Sequence, residues 1–266
     1  MSRLLVHPHE PDAEGHVLGV TPESAGWRYV GFDVYRLEPG QRLARDTGQR
    51  EVCLVLLTGK AHVTAGGTRY EDLGDRMSVF EGKGPYAVYL PAAASFEVEA
   101  LTSLELAVCS APGKDGRGTR LIRPEEMSRE TRGRGTNTRH VRNILPDTEP
   151  ADSLLVVEVV TPGGHWSSYP PHKHDVDNLP VETCLEETYY HRINPSQGFA
   201  FQRVYTDDRS LDETMTVQDG DVVLAPKGYH PVGAAHGYDL YYLNVMAGPV
   251  REWRFSNDPV HEWIAK

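Results

Sequence analysis

The sequence predicts an all-β protein built as two β-barrels in tandem, and three observations carry that prediction. First, 25 glycines and 19 prolines are scattered through 266 residues and interrupt apolar runs too short for core helices. Second, those runs alternate apolar and polar residues, or are briefly continuous, as strands do. Third, the runs fall into two series that resemble each other.

The first series is "YVGFDVYRL" (29–37), "EVCLVLLTG" (51–59), "AHVTAGG" (61–67), "AVYLP" (87–91), "FEVEAL" (96–101) and "LELAVCSAP" (104–112). The second is "LLVVEVVTPGG" (154–164), "ETYYHRI" (187–193), "FAFQRVYT" (199–206), "ETMTVQ" (213–218), "DVVLAP" (221–226) and "DLYYLNVMAGP" (239–249). Each run is closed by Gly, Pro or Asp, which favours turns. Across the series, "LEPGQ" matches "VTPGG" and "YLPAAASFEV" matches "LAPKGYHPVG", an internal duplication in pattern. The predicted organisation is an N-terminal domain over 1–112, a connector over 113–143 and a C-terminal domain over 144–266. The connector is rich in Arg and Gly and has no sustained period, so 113–135 reads as a solvated linker. Its end, "TRHVRNIL" (138–145), alternates into an apolar run, which would hold Arg139 and Arg142 in place.

Composition narrows the function. The formal net charge is −11, which argues against a nucleic-acid surface, since phosphate contacts need clustered Lys and Arg. A small anionic substrate would need a local cationic pocket against that field. Cys53, Cys109 and Cys184 form neither a disulfide framework nor a CxxC zinc pattern. Neither a leader peptide nor a membrane helix is recognisable. The expectation is a reduced, soluble, cytoplasmic protein without nucleic-acid or membrane partners.

The chemistry concentrates in "PPHKHDVDNLPVETCLEETYY" (170–190). In a strand, residues two apart share a face, so His172 and His174 can aim two imidazoles at one point. The prolines favour the extended backbone this needs. On the run 187–193 the same rule places Glu187, Tyr189 and His191 together. "GDVVLAPKGYH" (220–230) is a strand followed by a Pro/Gly turn that presents His230. Three histidines and one glutamate suit Zn²⁺, Mn²⁺ or Fe²⁺. Glu186 and Glu187 both fit the carboxylate position; Glu187 is preferred because it opens the apolar strand. The first series has Glu51 at the matching place but no HxH, and its "LPAAASF" lacks a histidine. Only the C-terminal domain should therefore bind metal.

The order Gly-rich turn, HxH, Glu, then Gly-x5-Pro-x-Gly and His resembles the two motifs of the cupins. There is one residue fewer than usual before His230 and a long insertion between His174 and Glu187, a candidate lid. The resemblance implies jelly-roll barrels. More narrowly, "SSYPPHKHD", "LEETYYHRINPSQGFAFQRVYTDD" and "GDVVLAPKGYHPVGAAHGYDLYYLNVMAGPVREW" resemble the 5-deoxy-glucuronate isomerases of myo-inositol catabolism, a bicupin family related to the 4-deoxy-5-ketouronate isomerases of pectin breakdown. The likeness covers most of the chain. It implies a metal-dependent aldose–ketose isomerase that converts 5-deoxy-D-glucuronate to 5-dehydro-2-deoxy-D-gluconate, with His172, His174, Glu187 and His230 on the metal, most simply zinc. The alternatives are the pectin-pathway isomerase, a cupin dioxygenase, or a metal-containing cupin that binds sugar acids without turnover.

Isomerisation moves a proton between neighbouring carbons, unless hydride shifts directly. His191 is the candidate base, since a neutral imidazole titrates in the useful range, with Tyr189 beside it. The substrate carboxylate calls for a guanidinium or ammonium. Arg139, Arg142, Arg203 and Lys173 are the candidates, Lys173 the weakest because alternation turns it away from the metal. The aromatic tail "PVREWRFSNDPVHEW" (249–263) reads as a clamp on the barrel surface or a contact in a homo-oligomer.

Overall fold

A computed structural model describes residues 2–114 and 117–265; Asp115 and Gly116 of the expected connector, and the terminal residues Met1 and Lys266, lie outside the described residues. The described elements are almost all strands, with one short α-helix, Pro22–Ala25, and three 3₁₀ turns. No helix among them is long and apolar enough to cross a membrane.

The chain forms two compact units, and their limits differ from cuts at 112 and 144. One comprises Pro8–Ser128 with Ile144–Val156. Its six-stranded sheet runs Arg120–Ile122, Ala87–Leu90, Arg50–Thr58, Leu104–Pro112, Gly31–Leu37, His16–Val20. A four-stranded sheet runs Arg42–Asp46, Ser95–Ala100, Ala61–Ala65, Thr68–Leu73. Val52, Leu54 and Leu56 of the first sheet and Val63, Phe96 and Val98 of the second share one buried apolar cluster. Ala61–Ala65 alternates buried and half-buried residues along its length, the signature of a strand with one face on a core.

The other unit comprises Met1–His7, Arg129–Asn143 and Val157–Lys266. Its main sheet runs Leu5–Val6, Val222–Ala225, Glu186–Asn194, Asp239–Ala247, Leu155–Thr161, Arg139–Leu145, Ser128–Arg132. Its second sheet runs Trp166–Ser167, Val232–Ala234, Ala200–Tyr205, Asp212–Val217. Five strands of this sheet and all four of the second follow the order of the first unit, with different edge strands, so the duplication inferred from sequence pattern is a duplication of topology. What differs is the interior. Leucine and valine line the first barrel, whereas His191, Gln202, Tyr189, Tyr242 and Asn244 are buried in the second.

Three expectations change. The connector is not a plain linker, because it carries Arg120–Ile122, Ser128–Arg132 and the start of Arg139–Leu145. These strands are short, and Ser128–Arg132 is exposed along most of its length, so they lack the hydrophobic period that betrays a strand. The N-terminal residues belong with the metal-binding half: Leu5–Val6 pairs antiparallel with Val222–Val223, and Leu224 N–H donates to the Leu4 carbonyl at 2.8 Å. The pairing covers a sheet edge that would otherwise stand open.

The third change concerns Glu51. Val52 pairs with Leu90, just before Pro91; Glu187 pairs with Ala225, just before Pro226. The place of Glu187 is therefore taken by Val52, and Glu51, one residue away, faces the other side of the sheet. There its buried carboxylate accepts from the backbone N–H groups of Asp152 at 2.7 Å, Ser153 at 2.6 Å and Leu154 at 2.5 Å, and from the Tyr89 hydroxyl at 2.6 Å. Replacing Glu51 by Ala strands these donors without an acceptor. It should cost about 3 kcal/mol or more of stability, read as a lower urea midpoint with metal content unchanged. A midpoint equal to wild type would show that water replaces the carboxylate at no cost.

Candidate metal centre

His172 and Lys173 form a short strand paired with Ser256–Asn257, which fixes the extended backbone expected after the two prolines. Alternation then sends His172 and His174 inward and Lys173 away. His230 arrives from the turn after Val222–Ala225. Its ring centroid lies 4.9 Å from those of both His172 and His174. One nitrogen from each of the three buried rings falls within 4.8 Å of the others.

The groups behind the rings decide which nitrogens face the centre. His174 Nδ1 sits 3.1 Å from the Leu185 carbonyl, and His230 Nδ1 sits 2.8 Å from the Gly228 carbonyl. A carbonyl only accepts, so both rings carry the proton on Nδ1 and present Nε2 inward, the usual support for a metal-ligating histidine. Glu187 Oε2 stands 2.9 Å from His174 Nε2 and 3.2 Å from His230 Nε2, and the latter nitrogen makes no hydrogen bond although buried. Glu187 is the buried member of the glutamate pair, beside the rings, and Glu186 the partly exposed one. Burial pushes the Glu187 carboxyl up, but His174 and His230 beside it outweigh this and hold it at about 2. Burial, then the neighbouring His230 and His174, push His172 well below its ordinary value. An ionised carboxylate and inward-facing imidazole nitrogens, one of them orphaned, fit a divalent metal ion.

The insertion between His174 and Glu187 is braced from within. Glu182 Oε1 accepts from Lys173 Nζ at 3.0 Å and from the N–H groups of Asp175 at 2.8 Å and Val176 at 3.1 Å. Asp175 takes Lys173 Nζ on Oδ1 at 2.7 Å and the Gly228 N–H on Oδ2 at 2.8 Å. Lys173 is therefore committed to two carboxylates and does not reach the metal side. Gly228 has φ +83°, and a Cβ there would lie 2.4 Å from the Tyr205 carbonyl oxygen, so the turn that presents His230 requires glycine.

Beside the triad is a small cavity bordered by Arg132, Arg139, Ser168, His172, Tyr189 and Tyr242. Tyr189 and Tyr242 hydroxyls pair with Ser168 Oγ at 2.9 Å and Ser167 Oγ at 2.5 Å. Ser168 adopts φ +50°, a left-handed backbone uncommon for serine and often found at functional sites. Arg139 donates through Nη1 to the Asn137 and Tyr169 carbonyls at 3.1 and 3.0 Å, and among the described residues no carboxylate pairs with it.

Three further candidates lie elsewhere. Arg142 forms an ion pair with buried Glu158, which also accepts from the Tyr241 hydroxyl. Arg203 makes two 2.7 Å hydrogen bonds to Asp212 and lies over the Tyr205 ring, far out on the second sheet. His191 is fully buried, with Nε2 2.9 Å from Gln202 Oε1, and does not border the cavity. Burial lowers it to about 4, which makes it a weak base. Sequence reasoning missed Ser167, Ser168 and Arg132. The serine pair directly before "YPPHKH" was the available signal.

Two barrels of one topology, the second holding a buried histidine triad and carboxylate, define a two-domain cupin with a divalent-metal site. A sequence model of the KduI/IolB family matches residues 4–264, and the chain belongs to that family. It is 62% identical over 264 residues to a 5-deoxy-glucuronate isomerase of Geobacillus kaustophilus, spanning 99% of this chain and 96% of that one. With the Bacillus subtilis strain 168 enzyme of the same name it shares 51% over 268 residues, 99% of each. Among solved structures, an IolB-like protein of Salmonella typhimurium superposes with TM-score 0.96 at 54% identity, covering 99% of both chains. Bacillus subtilis oxalate decarboxylase superposes at 0.67 with 15% identity, over 97% of this chain and 78% of that one, a likeness of fold alone.

The brace predicts a graded effect. His230→Ala should abolish metal binding, while Asp175→Ala should weaken it about 10- to 100-fold in a chelator competition. Equal affinities of Asp175→Ala and wild type would refute the brace.

Proposed function

We propose that this protein is a metal-dependent aldose–ketose isomerase acting on 5-deoxy-D-glucuronate to give 5-dehydro-2-deoxy-D-gluconate, with Zn²⁺ as the resident ion. The observation that carries this reading is a half-buried guanidinium, that of Arg139, with no carboxylate partner among the described residues, on the same small cavity as the histidine triad. A sugar acid has a carboxylate for the one and neighbouring carbonyl and hydroxyl oxygens for the other. The names of the full-length relatives point to the same substrate.

An ion held by His172, His174, His230 and Glu187 would supply Lewis-acid polarisation of those oxygens, and a nitrogen-rich set with one carboxylate is usual for zinc. The chain's own residues do the rest. Arg139, braced by two backbone carbonyls, has donors left for the carboxylate and sets the substrate's direction. Tyr189 and Tyr242 offer hydroxyls already oriented by Ser168 and Ser167. Burial pushes the Tyr189 phenol well above its ordinary range, so it stays protonated and acts as a donor. In this reading the hydrogen of the hydroxyl-bearing carbon crosses with its electron pair to the neighbouring carbonyl carbon, while Tyr189 Oη passes its proton to the old carbonyl oxygen and takes the hydroxyl's proton in exchange. His191 stacks against Tyr189, with ring centroids 6.0 Å apart, and supports it from behind.

A carbonyl-shift assay of the metal-loaded protein with 5-deoxy-D-glucuronate and with 4-deoxy-5-ketouronate tests the assignment. Turnover of the first is expected; turnover of the second alone would move the protein to pectin-type chemistry, and turnover of neither would leave a binding protein. Arg139→Ala should raise KM at least about tenfold with metal content unchanged. Arg142→Ala, which abandons buried Glu158, should lower the Tm and leave KM near wild type. The opposite pattern would exchange their roles.

A further inference from the structure

The Arg- and Gly-rich stretch "TRGRGTNTRH" (131–140) places three guanidiniums in sequence between the protein surface and the metal side. Arg132 borders the inner cavity, lies over the Trp253 ring at 4.9 Å and pairs with Glu130 at 2.7 Å. Arg139 borders that cavity and also a larger outer cleft, where it is joined by Arg134, Asn137, Tyr169 and Ala265. Arg134 is exposed, and among the described residues neither Arg134 nor Arg139 has a carboxylate partner. Such pairing is common elsewhere in this acidic chain, where Arg42, Arg45, Arg120 and Arg192 all have one.

The two spaces differ in what they can hold. The inner cavity is about 20 Å³, room for roughly one water molecule. The outer cleft is about 390 Å³, within the range of small-molecule sites. The glycine between the arginines is part of the arrangement. Gly133 has φ +74°, and a Cβ there would fall 2.2 Å from the Asn137 carbonyl oxygen and 2.8 Å from Arg139 Nη1. The chain can therefore turn from Arg132 to Arg134 and still leave Arg139 its place only because residue 133 has no side chain.

We propose that the outer cleft is a carboxylate-binding vestibule, in which a sugar acid is first held between Arg134 and Arg139 before its carbonyl end reaches the metal side. This rests on the isomerase reading given above. With a formal charge of −11 the protein repels an anion at long range, and local cations with no competing carboxylate reverse that over the last few ångströms. Arg139 borders both spaces, so the acid group and most of the substrate stay in the outer cleft on one guanidinium while only the carbonyl end turns into the inner cavity.

Steady-state kinetics of the metal-loaded protein on 5-deoxy-D-glucuronate, at two salt concentrations, test the vestibule. Arg134→Glu should raise KM about tenfold with kcat within about twofold, and Arg134→Ala should flatten the salt dependence of kcat/KM. Ala265→Trp, which fills the cleft and leaves every arginine in the sequence, should lower kcat/KM about tenfold with metal content and Tm unchanged. Wild-type KM in both Arg134→Glu and Ala265→Trp would overturn the proposal. If the wild-type protein does not turn over the uronate, the isomerase reading fails on its own. The vestibule is then judged by calorimetry with D-glucuronate, where equal affinity of wild type and Arg134→Glu would reject it and a tenfold loss would uphold it.

Discussion

Glu187 keeps a full negative charge inside a β-barrel, where an unpaired carboxylate would be prohibitively costly. It is tolerable because His174, with Nδ1–H on a carbonyl, can carry a second proton on Nε2 and donate it to the carboxylate at 2.9 Å, or yield that place to a metal cation. The ring nitrogens face Glu187 only because backbone carbonyls fix the other side of each ring. The Leu185 carbonyl fixes His174 and the Gly228 carbonyl fixes His230. Leu185 ends the braced insertion, and Gly228 is held by Asp175. One buried charge thus accounts for a long loop, a strictly required glycine and a lysine that would otherwise look spare. The long gap between His174 and Glu187, which resembled a lid, is a scaffold for the ligands at its two ends.

The two barrels show how a duplicated fold divides its work. Their shared strands follow the same order, yet one interior is hydrocarbon and the other polar. At the position of Glu187 the first barrel has Val52, part of its apolar cluster. The neighbouring Glu51 serves the opposite face, where three backbone amides and a phenol share its oxygens. Because the side-chain period of a strand is two, a displacement of one residue separates a metal-type carboxylate from a structural one. Pattern matching alone placed Glu51 in the wrong column for that reason.

Much of the fold and the grouping of the three histidines was legible because both rest on local periodicity. Alternation predicted that His172 and His174 share a face and that Lys173 does not, and a Pro/Gly turn after an apolar strand announced His230. What could not be read were facts of depth and of distant pairing. Alternation put His191 on the inner face but could not say that it lies below the cavity against Gln202. Arg142 looked available until Glu158, sixteen residues on, proved to hold it, and Arg203 likewise belongs to Asp212. The strands of the connector before residue 135 escaped because they are short and Ser128–Arg132 is exposed along most of its length, so Arg132 and Arg134 were read as part of a linker, whereas Arg139 was expected to be held in place.

Residues 5–6 complete the sheet edge next to the strand that leads to His230. In biosynthesis this joins the beginning of the chain to a partner made near its end. At roughly 5–20 residues per second, Leu5 and Val6 leave the ribosome about 10–40 s before Val222 and Val223 exist. In the meantime the first barrel, complete by residue 156 apart from the residues not described, can close around its leucine and valine core. The metal barrel can only finish afterwards, by recovering a segment already released. The chain therefore matures in a fixed order, and its chemically active half is the last to become whole.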